Sequence, residues 1–344
     1  MPRASGHAMA ARALGSWLTF AAGCTDAPEL RMPSLLPPHL LVAARPGEPI
    51  RPIPPASELA GDERQVALGR RLFVDPALSQ DGKTRCIDCH PFEHGGADPR
   101  PRSLGSGGMV GAVQAPSIFN LAFNHCYNWD GRTCDLAAHA LLPLANPKVM
   151  NMGSEQLVAK LAAEGDYAGR FAAAYPDGLT ANNVAHALAS YERTLVTPNS
   201  PLDRYLLGDD DALAPGALAG YRLFKEIGCV SCHQGTNVGG NLFQRFGVLD
   251  QPGAAADTTP DAYMGRERVT RRAEDRRVFR VPGLRNVALT APYFHDASAA
   301  TLPDAVRVMA RRQLGHELTE EQLARLVEFL GALTGDQPEA PHGE

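Results

Sequence analysis

The chain has 344 residues, 44% of them hydrophobic, and a net charge of −5. That length suggests about two domains plus tails, with enough apolar content for real cores. The charge argues against nucleic acid as a partner and gives no membrane-surface signal, and no apolar run reaches the roughly 18 residues of a spanning helix.

Residues 1–24 read as an export or lipoprotein signal. Arg12 precedes an apolar stretch from Leu14 to Ala22, which ends in Ala21-Ala22-Gly23-Cys24. Small residues before a cysteine suit lipoprotein processing and a lipid anchor on Cys24; an ordinary export signal is the alternative. Residues 25–56 read as linker, because eight prolines fall between Met32 and Pro55 with no helical period, the composition of a semi-rigid spacer. Two domains, 57–205 and 206–338, and a tail, 339–344, complete the division.

In the first domain, Val66, Gly69 and Phe73 step along one face and predict a helix over Asp62–Val74, stopped by Asp75-Pro76. Cys86-Ile87-Asp88-Cys89-His90 follows, and the same five-residue pattern returns at Cys229-Val230-Ser231-Cys232-His233. Two thiols at that spacing can add to the vinyl groups of one haem while the next imidazole meets the iron. A four-thiolate zinc site would separate its pairs by roughly 15 to 20 residues; Cys86 and Cys229 stand 143 apart, each pair followed at once by His. The pattern therefore predicts two covalently bound haem c groups, with Cys86, Cys89, Cys229 and Cys232 as attachment sites and His90 and His233 as axial ligands. Bacteria attach such haems outside the cytoplasm, which supports export to the periplasm.

The stretch from His90 to Gln114 is rich in Gly and Pro and reads as a long loop beside an iron. Cys126 and Cys134 flank Trp129; in an oxidising compartment they would bridge, and two free buried thiols are the alternative. A short helix is expected near Leu136–Leu142. Ser154 and Thr180 are read as caps of two further helices, the second striped by Val184, Ala187, Leu188, Tyr191 and Leu195. Residues 198–215 read as a connection between domains.

The second domain repeats the plan: a helix with Leu218, Tyr221 and Phe224, then the haem motif, then a glycine-rich loop. Residues 266–280 hold seven Arg against three acids and read as a solvated loop, with a docking patch for an acidic donor as the alternative. Thr301 with Asp304, and Thr319 with Gln322, predict capped helices over the last part of the chain. Strand signals are weak, so the fold class is mainly α: two cytochrome c-like haem domains with long irregular loops. A low-spin electron-transfer haem needs a ligand on its open face, and Met264 and Met309 are the candidates, Met309 beside Val306 on the inward face of a capped helix.

Ala115-Pro116-Ser117-Ile118-Phe119-Asn120, Trp129-Asp130-Gly131-Arg132, Gly228 through His233, and Pro282-Gly283-Leu284-Arg285-Asn286 running on to Ala291 through Asp296 occur in that order. In these residues the chain resembles the bacterial dihaem cytochrome c peroxidases, over roughly residues 57 to 338. The related enzyme that matures methylamine dehydrogenase shares much of the frame. The resemblance implies that the C-terminal haem, held by His233 and Met309, receives electrons, and that the His90 haem is the peroxide site. Trp129 falls where the family has its relay tryptophan between the haems. A calcium ion is also implied, with Thr290 and Pro292 as backbone ligands and Gln114 where the family has an Asn ligand.

Two positions depart from the family pattern. Ser106 stands where many members carry a distal His, so the iron is expected open at rest unless His94, His125 or Met109 folds in. Val149 stands where the family has an acid/base Glu, in Asn146-Pro147-Lys148-Val149-Met150. His139, about where the family has a Gln, is the candidate proton relay, with a surface or capping role as the alternative; Asp135 and Glu155 are further substitutes. The implied function is reduction of hydrogen peroxide with electrons from a small periplasmic cytochrome or cupredoxin. Peroxide-dependent oxidation of a partner protein and non-catalytic electron transfer or sensing are the alternatives. Family members are often homodimers.

Overall fold

The computed structural model describes residues 45–250 and 264–342, which belong to one compact unit. The signal and Cys24 lie outside the described residues. Within that unit the described residues build two large hydrophobic cores, one spanning Leu68 to Leu195 and the other gathering Ile50 with Leu202 to Leu333, and a small third cluster of Tyr293, Ala299 and Ala305. The architecture is mainly helical, as the sequence predicts: α1 Glu63–Phe73, α2 Cys86–Cys89, α3 Leu136–Ala145, α4 Ser154–Ala163, α5 Tyr167–Ala174, α6 Ala181–Glu192, α7 Pro201–Leu206, α8 Pro215–Glu226, α9 Glu267–Thr270, α10 Leu302–Leu314 and α11 Glu320–Gly331. The described strands are β1, Phe243–Arg245, and β2, Val278–Arg280, paired antiparallel with Phe243 opposite Arg280.

Each of the two large cores is latched by one close crossing between the helix before its haem motif and a helix after it. In the first, α1 meets α6 at Gly69, where a Cβ would lie 2.0 Å from the Ala187 carbonyl oxygen. In the second, α8 meets α11 at Gly220, where a Cβ would lie 2.0 Å from the Arg325 carbonyl oxygen. Only glycine lets the backbones approach so closely. Aromatic pairs finish both crossings: Phe73 edge-on to Tyr191 at 5.6 Å, and Tyr221 stacked on Phe329 at 5.1 Å.

Local chemistry sets the helix ends. Asp62, Thr180, Thr301 and Thr319 each accept a backbone N–H of the first turn that follows. Ser154 is not the cap expected of it: it is the first residue of α4, Gly153 is the cap, and Gln156 Oε1 accepts the Gly153 N–H. The expected connection over 198–215 contains α7, whose Leu202 and Leu206 are fully buried in the second core. The described part of the expected linker is likewise not a free spacer. Ile50 is fully buried, and Ile53 N–H donates to Asp203 Oδ1 at 3.2 Å. That carboxylate also pairs with Arg285 at 2.7 Å, both side chains being almost wholly out of solvent.

Candidate active site

The single turn α2 carries the first motif, and the Asp88 carboxylate accepts the Arg85 backbone N–H to start it. Directly after it, the chain reverses through Gly95 and Gly96, both at positive φ. That reversal brings the Gly96 carbonyl to 2.9 Å from His90 Nδ1. A carbonyl can only accept, so Nδ1 carries the proton and Nε2 keeps its lone pair for a metal. The second motif repeats the device, with His233 Nδ1 donating to the Val238 carbonyl at 3.2 Å. Burial lowers the pKa of both imidazoles, His233 to about 4, so both stay neutral as ligands must be.

The thiols fit the same purpose. Cys126 and Cys134 are bridged, as the first of the two sequence readings has it, whereas Cys86, Cys89, Cys229 and Cys232 are free. Burial raises the pKa of Cys86 and Cys89, and pushes Cys229 up to about 11. In a chain that oxidises one cysteine pair, the free pairs are those set one turn before an imidazole.

Cys229, Cys232 and His233 line a cavity of about 250 Å³, and Met309 on α10 lines the same cavity. Apolar side chains such as Phe224, Val306 and Leu326 make up much of the wall. Thioether attachment points, an imidazole, a thioether sulfur and an apolar surround are what a six-coordinate haem c requires. The alternative methionine, Met264, is not among the lining residues; its carbonyl accepts the Arg277 N–H.

The cavity reaches the wall between the two motifs. Trp129, Gln114, Thr290 and Pro292 all line it. Trp129 donates its indole N–H to the Gln114 carbonyl at 2.9 Å and meets the His295 ring edge-on at 6.2 Å. The Cys126–Cys134 bridge and the Tyr127–Thr133 pairing close the hairpin that carries it. Gln114 is 3% exposed, and its side-chain amide donates to the Asp98 carbonyl.

On the His90 side the sequence candidates separate. His94 and Met109 lie exposed on the surface, and the His125 backbone N–H is tied to Gly240 at 2.8 Å. Ser106 is buried, and its hydroxyl accepts the Asp81 N–H at 3.0 Å. Asp135 and Glu155 are exposed, Asp135 serving to cap α3. His139 instead is drawn inward. Its ring lies 5.2 Å from Tyr127, its Nε2 lies 3.4 Å from the Asn128 side-chain amide, and its Nδ1 is buried without a partner. Burial first, then the neighbouring His90 imidazole and the Arg280 and Arg132 guanidiniums, push its pKa down to about 3.

Three participants escape a sequence reading. Asn128 is one. Glu192, at the end of α6, is 8% exposed, and burial pushes its carboxyl up to about 8. Arg280 is 4% exposed at the end of β2, which corrects the solvated-loop reading at that end of 266–280. The available signal was a lone Arg between Phe279 and Val281.

Two motifs of this build, each with its imidazole oriented by a carbonyl and its thiols free, define a two-haem c-type protein. The family model described as di-haem cytochrome c peroxidase matches residues 63–211. The chain is 42% identical to the cytochrome c551 peroxidase of Nitrosomonas europaea over 293 residues, 85% of this chain and 86% of that protein. It is 40% identical to the cytochrome c551 peroxidase of Pseudomonas aeruginosa over 295 residues, 84% and 85% of the two chains. With the cytochrome c peroxidase of Escherichia coli it shares 42% identity over 289 residues, 84% of this chain but only 61% of that longer protein. A crystal structure of a MauG-like protein associated with microbial copper homeostasis superposes with a TM-score of 0.71 at 29% identity, covering 82% of this chain and 93% of that one. The chain belongs to the dihaem cytochrome c peroxidase family. It is an oxidoreductase of that type and carries two covalently bound haem c groups.

Proposed function

We propose that the protein reduces hydrogen peroxide to water at the His90 haem, using electrons that enter at the haem of His233 and Met309. One observation carries this reading: the asymmetry of the two sites. Met309 lines the cavity with His233, whereas of the three residues that could close the His90 site, His94 and Met109 lie on the surface and the half-buried His125 has its backbone held by Gly240. A closed six-coordinate haem suits electron transfer, and an open one suits chemistry.

Haem c supplies the one-electron redox steps and a Lewis-acidic iron. The protein supplies orientation and protons. Gly96 and Val238 fix the two imidazoles in the tautomer that leaves Nε2 as ligand. The overall reaction consumes two electrons and two protons and releases two waters. His139, neutral and steadied by Asn128, passes a proton from the near oxygen of peroxide to the departing one. Trp129, between the motifs, supports a path for electrons.

The donor in this reading is a small c-type cytochrome or cupredoxin, and the location is the periplasm, with a lipid on Cys24 holding the protein at the membrane. Among the described residues no helix is long and apolar enough to cross a membrane. Gln114, Thr290 and Pro292 around one cavity support a calcium ion there. Exposed Leu104, Met109 and Val110 offer an apolar patch for a homodimer. The test is steady-state peroxide turnover with a reduced small cytochrome. A rate no greater than that of free haem would sink the proposal.

A further inference from the structure

Two arginines of the second half are equally deep, each 4% exposed, but their surroundings are unequal. Arg285 is fully matched: Asp203 lies 2.7 Å away, and the Thr236 and Arg51 carbonyls and the Ser200 hydroxyl accept its remaining N–H groups. Arg280 donates Nε to the Asn128 carbonyl at 3.0 Å and its backbone N–H to the Trp129 carbonyl at 2.8 Å. Its Nη1 is buried without a partner, and among the described residues no carboxylate lies within ion-pair distance. Burial lowers its pKa to about 10, which leaves it cationic at neutral pH.

A buried charge with no counter-charge is strongly disfavoured. Side chains alternate along a strand, and Phe279, Arg280 and Val281 are all buried, so both faces of β2 are covered and Arg280, opposite Phe243, has no route to solvent. The position thus calls for an anion. Arg280 lines the cavity shared by Cys229, Cys232, His233 and Met309, and a haem bound there brings two carboxylates. A guanidinium and a carboxylate form two parallel hydrogen bonds in a geometry that neither a hydroxyl nor a backbone carbonyl reproduces.

We propose that Arg280 binds a carboxylate of the haem attached at Cys229 and Cys232, and thereby sets the potential of that haem. The inference rests on the haem at that motif and not on peroxide being the substrate, so a failure of peroxide turnover leaves it standing. A fixed positive charge beside an iron favours the reduced state. It also keeps the carboxylate ionised across the working pH range.

The test is a potentiometric titration of the haem-loaded protein, following the two haems by their separate spectra, for wild type, Arg280→Gln and Arg280→Lys. In Arg280→Gln the one-electron equilibrium of the His233/Met309 haem shifts about tenfold toward oxidised, ~59 mV. A pH dependence also appears between pH 5 and 8 that wild type lacks. Arg280→Lys, which keeps the charge but not the fork, shifts less. An unchanged midpoint in Arg280→Gln, or a shift confined to the His90 haem, overturns the proposal. A third arm uses wild type alone, so it does not depend on the variants folding. If replacing chloride by nitrate or phosphate at constant ionic strength moves the midpoint, the site takes a free anion and the proposal fails. If it does not move, the tethered carboxylate is supported.

Discussion

The backbone N–H of Ser106 donates to the carbonyl of Val149 at 2.6 Å. These two residues occupy the positions where the family resemblance calls for a distal histidine and an acid/base glutamate, and here they are bonded to each other. Gly105 packs against the same turn, where a Cβ would lie 2.3 Å from the Lys148 carbonyl oxygen. Asp81 ties down the other side, its N–H donating to the Ser106 hydroxyl and its carboxylate accepting the Gly107 N–H. The loop is thus anchored on two sides, with no imidazole at Ser106 to bring to the iron.

An anchored loop without a distal ligand predicts a site that needs no activation. The fully oxidised protein at rest should give one high-spin and one low-spin signal in a spin-resonance spectrum, and should bind cyanide without prior reduction. Two low-spin signals would contradict this.

In the proposed reaction His139, beside His90, moves the proton. His139→Leu should lower the second-order rate with peroxide by about 10²-fold, within the range of general acid–base groups. Cyanide binding to the oxidised protein should slow with it, because cyanide arrives as its conjugate acid. A rate within twofold of wild type would remove His139 from the reaction.

In the proposed function Met309 is the sixth ligand of the His233 haem. Thioether ligation raises the potential, so Met309→His should keep a low-spin spectrum while lowering that midpoint by roughly 100 mV or more, given that axial ligands span about 0.8 V. Steady-state turnover should slow at electron entry, visible as weaker dependence on peroxide concentration than on donor.

Glu192 predicts a pH slope in stability. Its folded carboxyl sits at about 8 against an ordinary 4.5. The folded form therefore holds its proton where the unfolded chain has lost it. The contribution is fully present below pH 4.5, declines as pH rises, and is lost by about pH 8. Glu192→Gln should flatten this slope and be more stable than wild type near pH 8, by on the order of a few kcal/mol. Denaturant midpoints at pH 5 and pH 8 measure it; parallel curves for the two proteins would refute the assignment.

The parts legible in the sequence are those written locally. The paired motifs, the stripe on α1 and the caps Thr180, Thr301 and Thr319 involve residues within a turn or two of each other. The α3 helix, expected near Leu136–Leu142, extends to Ala145 through Pro143, because packing overrides the breaker. What stayed hidden depends on distant partners. Arg280 meets Asn128 across 152 residues, and Ile53 meets Asp203 across 150. Charge density alone put Arg280 in solvent, and proline content alone made 45–55 a spacer. Neither composition carries the strand register or the core that decides the matter.

The Cys126–Cys134 bridge closes eight positions of chain around Trp129 and removes about 2–3 kcal/mol of freedom from the unfolded ensemble. With the four motif thiols committed to thioethers, it is the one cystine among the described residues. A mild thiol reductant would then act at a single address, slackening the hairpin between the two motifs while leaving both irons where they are. The contact between the halves has its own fuse, separate from the cofactors it joins.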